Sequence, residues 1–259
     1  MTPPLIELRK ISVMRGPRLV LHDIDLTIDS GEHVAILGPN GSGKSTLIKT
    51  ITRELYPVQH EDSQMQIFGL ERWDISSLRS LLGVVSNNIA PFCARPISGF
   101  DAVASSFFSS TGLWPHQHLT PEMREKTGQL LSMLDVAHLA ARPVREMSAG
   151  ETRRIMIARA LVHDPRALLF DEPSNSLDMF AQNELRTTMR KLANAGIGLL
   201  LITHHLSDVI PEIDRVIFMR EGRILADGPK NDLVNADSLS ALFNCPVELA
   251  ERDGYYHLL

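Results

Sequence analysis

From Leu5 to Asp29 the apolar positions tend to alternate with polar ones, most plainly in Ile24-Asp25-Leu26-Thr27-Ile28-Asp29. A period of two turns one strand face to a core and the other to water, so half-exposed antiparallel strands are expected there. The pattern then changes. Residues 33–37, 81–85, 167–171 and 198–203 are short and nearly continuous in apolar character, the form of parallel strands covered on both faces. Between Asn88 and Asp164 the strand signal vanishes. Phe100, Val103 or Ala104, and Phe107 recur at helical spacing, and Met123, Thr127, Leu130, Leu131 and Leu134 mark a second helical face. An inserted helical subdomain is therefore expected. After Pro211, the run Arg215 to Met219, the turn Glu221-Gly222 and the run Arg223 to Ala226 read as a closing hairpin. Gly254-Tyr255-Tyr256-His257 reads as one more strand.

Composition narrows the class of partner. At 259 residues and 44% hydrophobic, the chain can bury a sizeable core as one large domain or a domain with a subdomain. A formal charge of −5 with no dense Lys/Arg tract argues against a nucleic-acid partner. Cys93 and Cys245 have no metal or disulfide-framework spacing, so a reducing compartment is expected. Met1-Thr2-Pro3-Pro4, with no basic segment and apolar run after it, argues against a signal peptide, and residues 196–203 are far too short to span a bilayer. These features predict a cytoplasmic protein whose membrane contact comes only through a partner.

Gly38-Pro39-Asn40-Gly41-Ser42-Gly43-Lys44-Ser45-Thr46 fits GxxxxGK[ST] in full, after an apolar run and before a segment that reads as helix, 44–54. Strand, glycine loop and helix stand in the order a phosphate loop requires. Its glycines let backbone amides close on phosphate oxygens, and the helix N-terminus adds partial positive charge. In this motif Lys44 reaches the β- and γ-phosphates, Ser45 binds Mg²⁺, and Thr46 helps at the α-phosphate. Downstream, the apolar run Ala167-Leu168-Leu169-Phe170 ends in two carboxylates, Asp171 and Glu172. We assign Asp171 to the Mg²⁺ shell and Glu172 to the attacking water.

Met147-Ser148-Ala149-Gly150-Glu151-Thr152-Arg153-Arg154 resembles the LSGGQ signature of ATP-binding cassette (ABC) ATPases, followed by a helix over 155–162. The same residues read as a capping box, Ser148 at the N-cap and Glu151 three residues on, and both readings can hold together. Ser174-Asn175-Ser176-Leu177-Asp178 looks like that family's D-loop, and Thr203-His204-His205 like its switch-histidine segment. The resemblance runs through almost the whole chain. It implies an α/β fold: a P-loop (RecA-like) core over 31–90 and 165–230, an N-terminal antiparallel β part over 1–30, a helical subdomain over 91–164 and a C-terminal extension over 231–259.

The resemblance also implies a mechanism. ATP and Mg²⁺ would be sandwiched in a head-to-tail pair of subunits, with Ser148 and the Gly150 amide of one facing the phosphate loop of the other. The second subunit would be an identical chain or a paralogue. His204 would touch the γ-phosphate with Asp178 as a neighbour; an ordinary strand-end histidine is the lesser alternative. A transmembrane permease would be driven by the pair, in an arrangement most like a bacterial importer. Two alternatives stand beside this: a soluble ABC ATPase acting on translation or DNA, and a module that binds ATP only to regulate.

Several positions depart from the family pattern. Asn87 stands where a glutamine is usual, one methylene shorter, with amide chemistry for a water-mediated contact to Mg²⁺. Arg15 falls near the usual adenine-stacking aromatic and could lie on the purine by a cation–π contact, or simply be a solvated turn residue. Ala149 replaces the first signature glycine, which is tolerable only where the backbone needs no positive φ. Most of the stretch from Phe107 to Trp114 reads as core, but Phe92, Phe108 and Trp114 are candidates for a groove that receives the permease. His116 and His118 lack further ligands at metal spacing and read as a solvated loop.

Overall fold

The computed structural model describes residues 3–88, 90–93 and 96–258, without the side chains of Pro91 and Cys93. Met1, Thr2 and the Cys93 thiol, all named above, lie outside the described residues. The alternating N-terminal segment forms β1 (Ile6–Arg15) and β2 (Arg18–Ile28), antiparallel to one another. Next come β3 (His33–Leu37), helix α1 (Lys44–Ile51) and β4 (Gln64–Ile67). Strand β4 pairs with β1 and completes a three-stranded sheet in the order β2-β1-β4. The antiparallel part therefore extends beyond residues 1–30. Met65 and Ile67, which turn inward opposite Leu8 and Ile6, are too few to give a legible alternation.

Helix α1 ends three residues before the expected boundary at 54. Arg53 takes a left-handed φ of 61°, and the amides of Glu54 and Leu55 fold back to the Lys49 carbonyl. The buried Arg53 guanidinium donates to Glu71 O at 2.7 Å, which holds the turn in place. No glycine announces this helix end, so local sequence gives little warning.

The chain continues through α2 (Ile75–Leu81), β5 (Leu82–Val85), α3 (Ala90–Cys93), α4 (Gly99–Ala104), α5 (Pro121–Met133) and α6 (Ala149–Ala160). It then forms β6 (Ala167–Asp171), α7 (Met179–Asn194), β7 (Gly198–Thr203), β8 (Arg215–Arg220) and β9 (Arg223–Pro229). The central sheet runs β5-β6-β7-β3-β8-β9, parallel except for the edge strand β9. Its apolar runs are continuous because both faces are covered. Val34 and Ile36 pack with the N-terminal sheet, whereas Ala35 and Leu37 face a second core shared with the helical insertion.

Register brings the site together. Leu37 pairs with Thr203, and Ile202 pairs with Asp171. The segments beginning at Gly38, Glu172 and His204 thus leave the sheet at one edge and one level, the carboxyl edge where open α/β sheets bind ligands. After α8 (Lys230–Leu233) and α9 (Ala236–Phe243), β10 (Leu249–Arg252) and β11 (Tyr255–Leu258) form a separate hairpin instead of a single added strand. Asp253 and Gly254, with φ of 55° and 78°, make its two-residue turn.

Candidate functional site

The phosphate loop crosses from β3 to α1. Gly43 sits at the N-cap of α1 with φ 105°, a conformation that side chains resist, and no side chain caps this helix or places an acid in its first turn. The helix N-terminus is left to an anion. Among the described residues the buried Ser42 hydroxyl of the same loop finds no hydrogen-bond partner, while Ser45 is exposed at its rim. Lys44 is buried, and its Nζ donates to Gly38 O at 2.6 Å and Pro39 O at 3.1 Å. The same ammonium lies 3.5 Å from Glu172 Oε1. Burial pushes the Lys44 ammonium below its ordinary range, against the opposing pull of Glu172 and Asp171. An anion bound at the loop would compete for this ammonium and be held by it.

Glu172 is the centre of the constellation. It stands just past β6 with φ 47°, and its amide donates to Ile202 O. His204 Nδ1 lies 2.6 Å from Glu172 Oε2, and the His204 backbone amide donates to the same oxygen at 3.3 Å. Asn87 joins from the far side, its Nδ2 donating to the Glu172 carbonyl at 2.7 Å. The shorter amide therefore grips the backbone of the acid through its NH₂ group. Burial, and then the neighbouring Glu172 charge, push the Asp171 carboxyl above the ordinary carboxylate range. A half-buried acid of this kind gains from a cation, and Ser45 and Asp171 are the hard oxygen donors that Mg²⁺ prefers.

Of these groups, Lys44, Ser45 and Glu172 line a cleft of about 800 Å³ whose walls also include Arg15, Arg18, His22 and Asn40. Arg15 is exposed on a wall of the cleft. Asn175, to which the sequence assigned no role beyond its place in the D-loop segment, also lines the cleft, and its Oδ1 meets His205 Nε2 at 3.2 Å. His205 in turn stacks on His204 with ring centroids 3.9 Å apart.

Ser148, Gly150 and Asp178 do not reach this cleft. They line a second one, between the N-termini of α6 and α7. The capping box is present in both directions: Ser148 Oγ accepts from the Glu151 amide and Glu151 accepts from the Ser148 amide. Helix α6 accordingly starts at Ala149, six residues ahead of the expected start, and ends at Ala160. Ala149 stands at its first position and has no positive φ, so the missing glycine costs nothing there. Gly150 is needed for a different reason, since a Cβ there would meet Ala181 Cβ at 2.8 Å and force α6 and α7 apart. Asp178 caps α7 by accepting from the Ala181 amide at 2.8 Å.

Of the aromatic candidates, Phe92 lines a cavity of about 260 Å³ between β5 and α6, together with Leu78, Arg79, Met156 and Arg159. Phe108 is half-buried and Trp114 exposed, and neither is part of that cavity. The ring of Phe92 lies under the Arg159 guanidinium, 5.1 Å from centroid to Cζ. His116 and His118 are exposed. No helix among the described residues is long and apolar enough to cross a membrane.

A family model described as ABC transporter matches residues 21–175. The chain is similar to the glutamate/aspartate import ATP-binding protein GltL of Escherichia coli K12, 35% identical over 88% of this chain and 92% of that one. It is 30% identical to the hemin import ATP-binding protein HmuV of Bradyrhizobium diazoefficiens, over 98% of this chain and 94% of the other. Among solved structures, the ADP conformation of MJ1267, an ATP-binding cassette of an ABC transporter, superposes with a TM-score of 0.79. That match covers 92% of this chain and 98% of MJ1267 at 24% identity, a likeness of fold. With a complete phosphate loop, a carboxylate pair on β6 and a capped signature helix on such a frame, the chain belongs to the ABC transporter family as an ATP-binding subunit, an ATPase.

Proposed function

We propose that two subunits of this kind close head-to-tail around ATP and drive a separate membrane permease of the importer type. The observation that carries this reading is the division of the site into two clefts. Lys44, Ser45 and Glu172 line one, with His204 in contact with Glu172 behind it, while Ser148, Gly150 and Asp178 line the other. A helix N-terminus facing outward, with its own amides partly capped, is half of an anion site that a second subunit can complete.

In this reading the phosphate loop from Gly38 to Thr46 holds the triphosphate, and Lys44 exchanges its loop carbonyls for phosphate oxygens. Glu172 accepts a proton from the attacking water, and His204 keeps the carboxylate aimed through the 2.6 Å contact. Asn87 fixes the backbone from which Glu172 projects. Ser45 and Asp171, with Asn87 through a water, would hold Mg²⁺, which when bound neutralises phosphate charge. Arg15 would lie against the base. Phe92 and the cavity beside it would receive a segment of the permease, so that the protein sits at the cytoplasmic face of the membrane without entering it.

The importer assignment leans on relatives named for import, one of glutamate/aspartate and one of hemin. Their cargoes differ, so the solute here is left to the permease. A tagged Glu172→Gln chain, expected to bind ATP but hydrolyse it at least about a hundredfold more slowly, tests the reading. Solubilised in mild detergent with ATP, it should recover a polytopic membrane protein from the membrane fraction. Recovery of a cytosolic species alone, or of ribosomes or DNA, would replace the transporter role.

A further inference from the structure

Behind the pair formed by Glu172 and His204 lies a carboxylate that this chemistry leaves unused. Asp208, 1% exposed, ends the short 3-10 turn Leu206–Asp208 that follows β7. Its Oδ2 accepts from Ser174 Oγ at 2.6 Å and from Thr203 Oγ1 at 2.9 Å. Ser174 lies on the segment from Glu172 to α7, and Thr203 is the residue before His204. One carboxylate oxygen therefore ties together the two segments that flank the candidate base.

Thr203 makes the link directional. Its hydroxyl has a single proton to give. That proton is directed to Asp208 at 2.9 Å, while Glu172 Oε2 is 3.5 Å away and the His205 amide donates to the same hydroxyl at 3.0 Å. Asp208 thereby fixes Thr203, and with it the backbone on which His204 is aimed. A third element approaches from the signature helix α6. Arg153 is buried there, its Nε and Nη1 without a hydrogen-bond partner among the described residues, and burial lowers its guanidinium to about 10 against the attraction of Asp171 and Asp208. A buried carboxylate is costly unless hydrogen-bonded. Burial does push Asp208 upward, with Ser174 and Thr203 opposing.

We infer that Asp208 is a positioning residue for ATP hydrolysis, which clamps Ser174 to Thr203 so that the segment after Glu172 and the segment bearing His204 keep one spacing. The inference rests on the proposed roles of Glu172 and His204. A clamp of this kind should act on turnover and not on the nucleotide's affinity, because neither hydroxyl faces the phosphate loop.

The experiment is steady-state ATP hydrolysis and thermal melting of Asp208→Asn beside wild type and Glu172→Gln. The expected result is a kcat lower by about tenfold, the scale of exchanging two hydrogen bonds to a charged acceptor for two weaker ones to a neutral amide oxygen. KM for ATP should stay within about twofold, and the melting temperature should hold or rise because the neutral amide escapes the burial cost. Thr203→Val should lose turnover in like measure, Thr203→Ser should recover it, and Asp208→Asn should add little to Ser174→Ala/Thr203→Val. Unchanged kcat in Asp208→Asn, or kcat and melting temperature falling together, overturns the clamp. If Asp208→Asn does not fold, the contrast between Thr203→Val and Thr203→Ser decides, and equal turnover in those two overturns it. A Glu172→Gln chain that hydrolyses ATP normally would instead remove the underlying assignment of the base.

Discussion

At the scale of single residues, the site sets like charges side by side and relies on incoming groups to relieve them. Asp171 is the plainest case. Burial and Glu172 raise its carboxyl above the ordinary range, so its ionised form is less favourable in the folded chain than in the unfolded one. Its contribution to stability is full below the ordinary carboxylate range and is lost as pH rises through the folded-state value. Asp171→Asn should therefore raise the melting temperature at neutral pH without divalent cation, by a margin that narrows on acidification, and should abolish Mg²⁺-dependent turnover. Paired melting curves at several pH values with and without Mg²⁺ would check both. Asn87 gives a second prediction. Asn87→Ala removes one hydrogen bond to the Glu172 carbonyl and should slow turnover roughly two- to tenfold, the worth of a single such bond. Asn87→Gln keeps the amide and should preserve or raise activity; a severe loss in phosphate-release assays would mean the site is built around the shorter side chain. Motif residues of this kind were legible because strand, loop and carboxylates must follow one order. Asp208 was not, since a lone acid three residues past Thr203-His204-His205 carries no pattern.

Elements decide which readings of the signature survive. Ser148 serves as the cap of α6 and is also the residue a neighbouring phosphate would meet, and substitution can separate these roles. Ser148→Ala removes the cap and should cost about 1 kcal/mol, a lowering of roughly 2 to 4 °C for a domain of this size. Ser148→Asp caps as well as serine does, so melting should be nearly unchanged while turnover collapses, because a carboxylate repels the phosphate expected there. Equal turnover in Ser148→Asp and wild type would leave α6 with a structural role only. The capping box was readable from Ser148 and Glu151, and the parallel strands from runs with both faces buried. The short strand β4 escaped because two inward residues do not make a period, and the end of α1 because Arg53 adopts its left-handed backbone through a distant contact with Glu71. The C-terminal hairpin was half legible: Tyr255-Tyr256 suggested a strand, but its partner Leu249–Arg252 lacks a clear apolar alternation.

For the whole molecule, the proposed head-to-tail pair gives the separation of the two clefts a testable consequence. If the phosphate loop of one subunit faces the signature of another, a twofold pair contains two composite sites, each drawing Lys44 from one chain and Ser148 from the other. Lys44→Ala alone should be inactive, since the charge that meets the β- and γ-phosphates is lost from every site. Ser148→Asp alone should be inactive because every site receives the repelling carboxylate. Mixed together, the two variants can form pairs in which one site has a native Lys44 from the second variant and a native Ser148 from the first. Turnover should then appear in the mixture that neither variant shows alone, and should grow with total protein concentration as pairing is driven. A mixture as silent as its components, in the presence of ATP and Mg²⁺ and at concentrations where wild type is active, would mean that the clefts are not halves of one site.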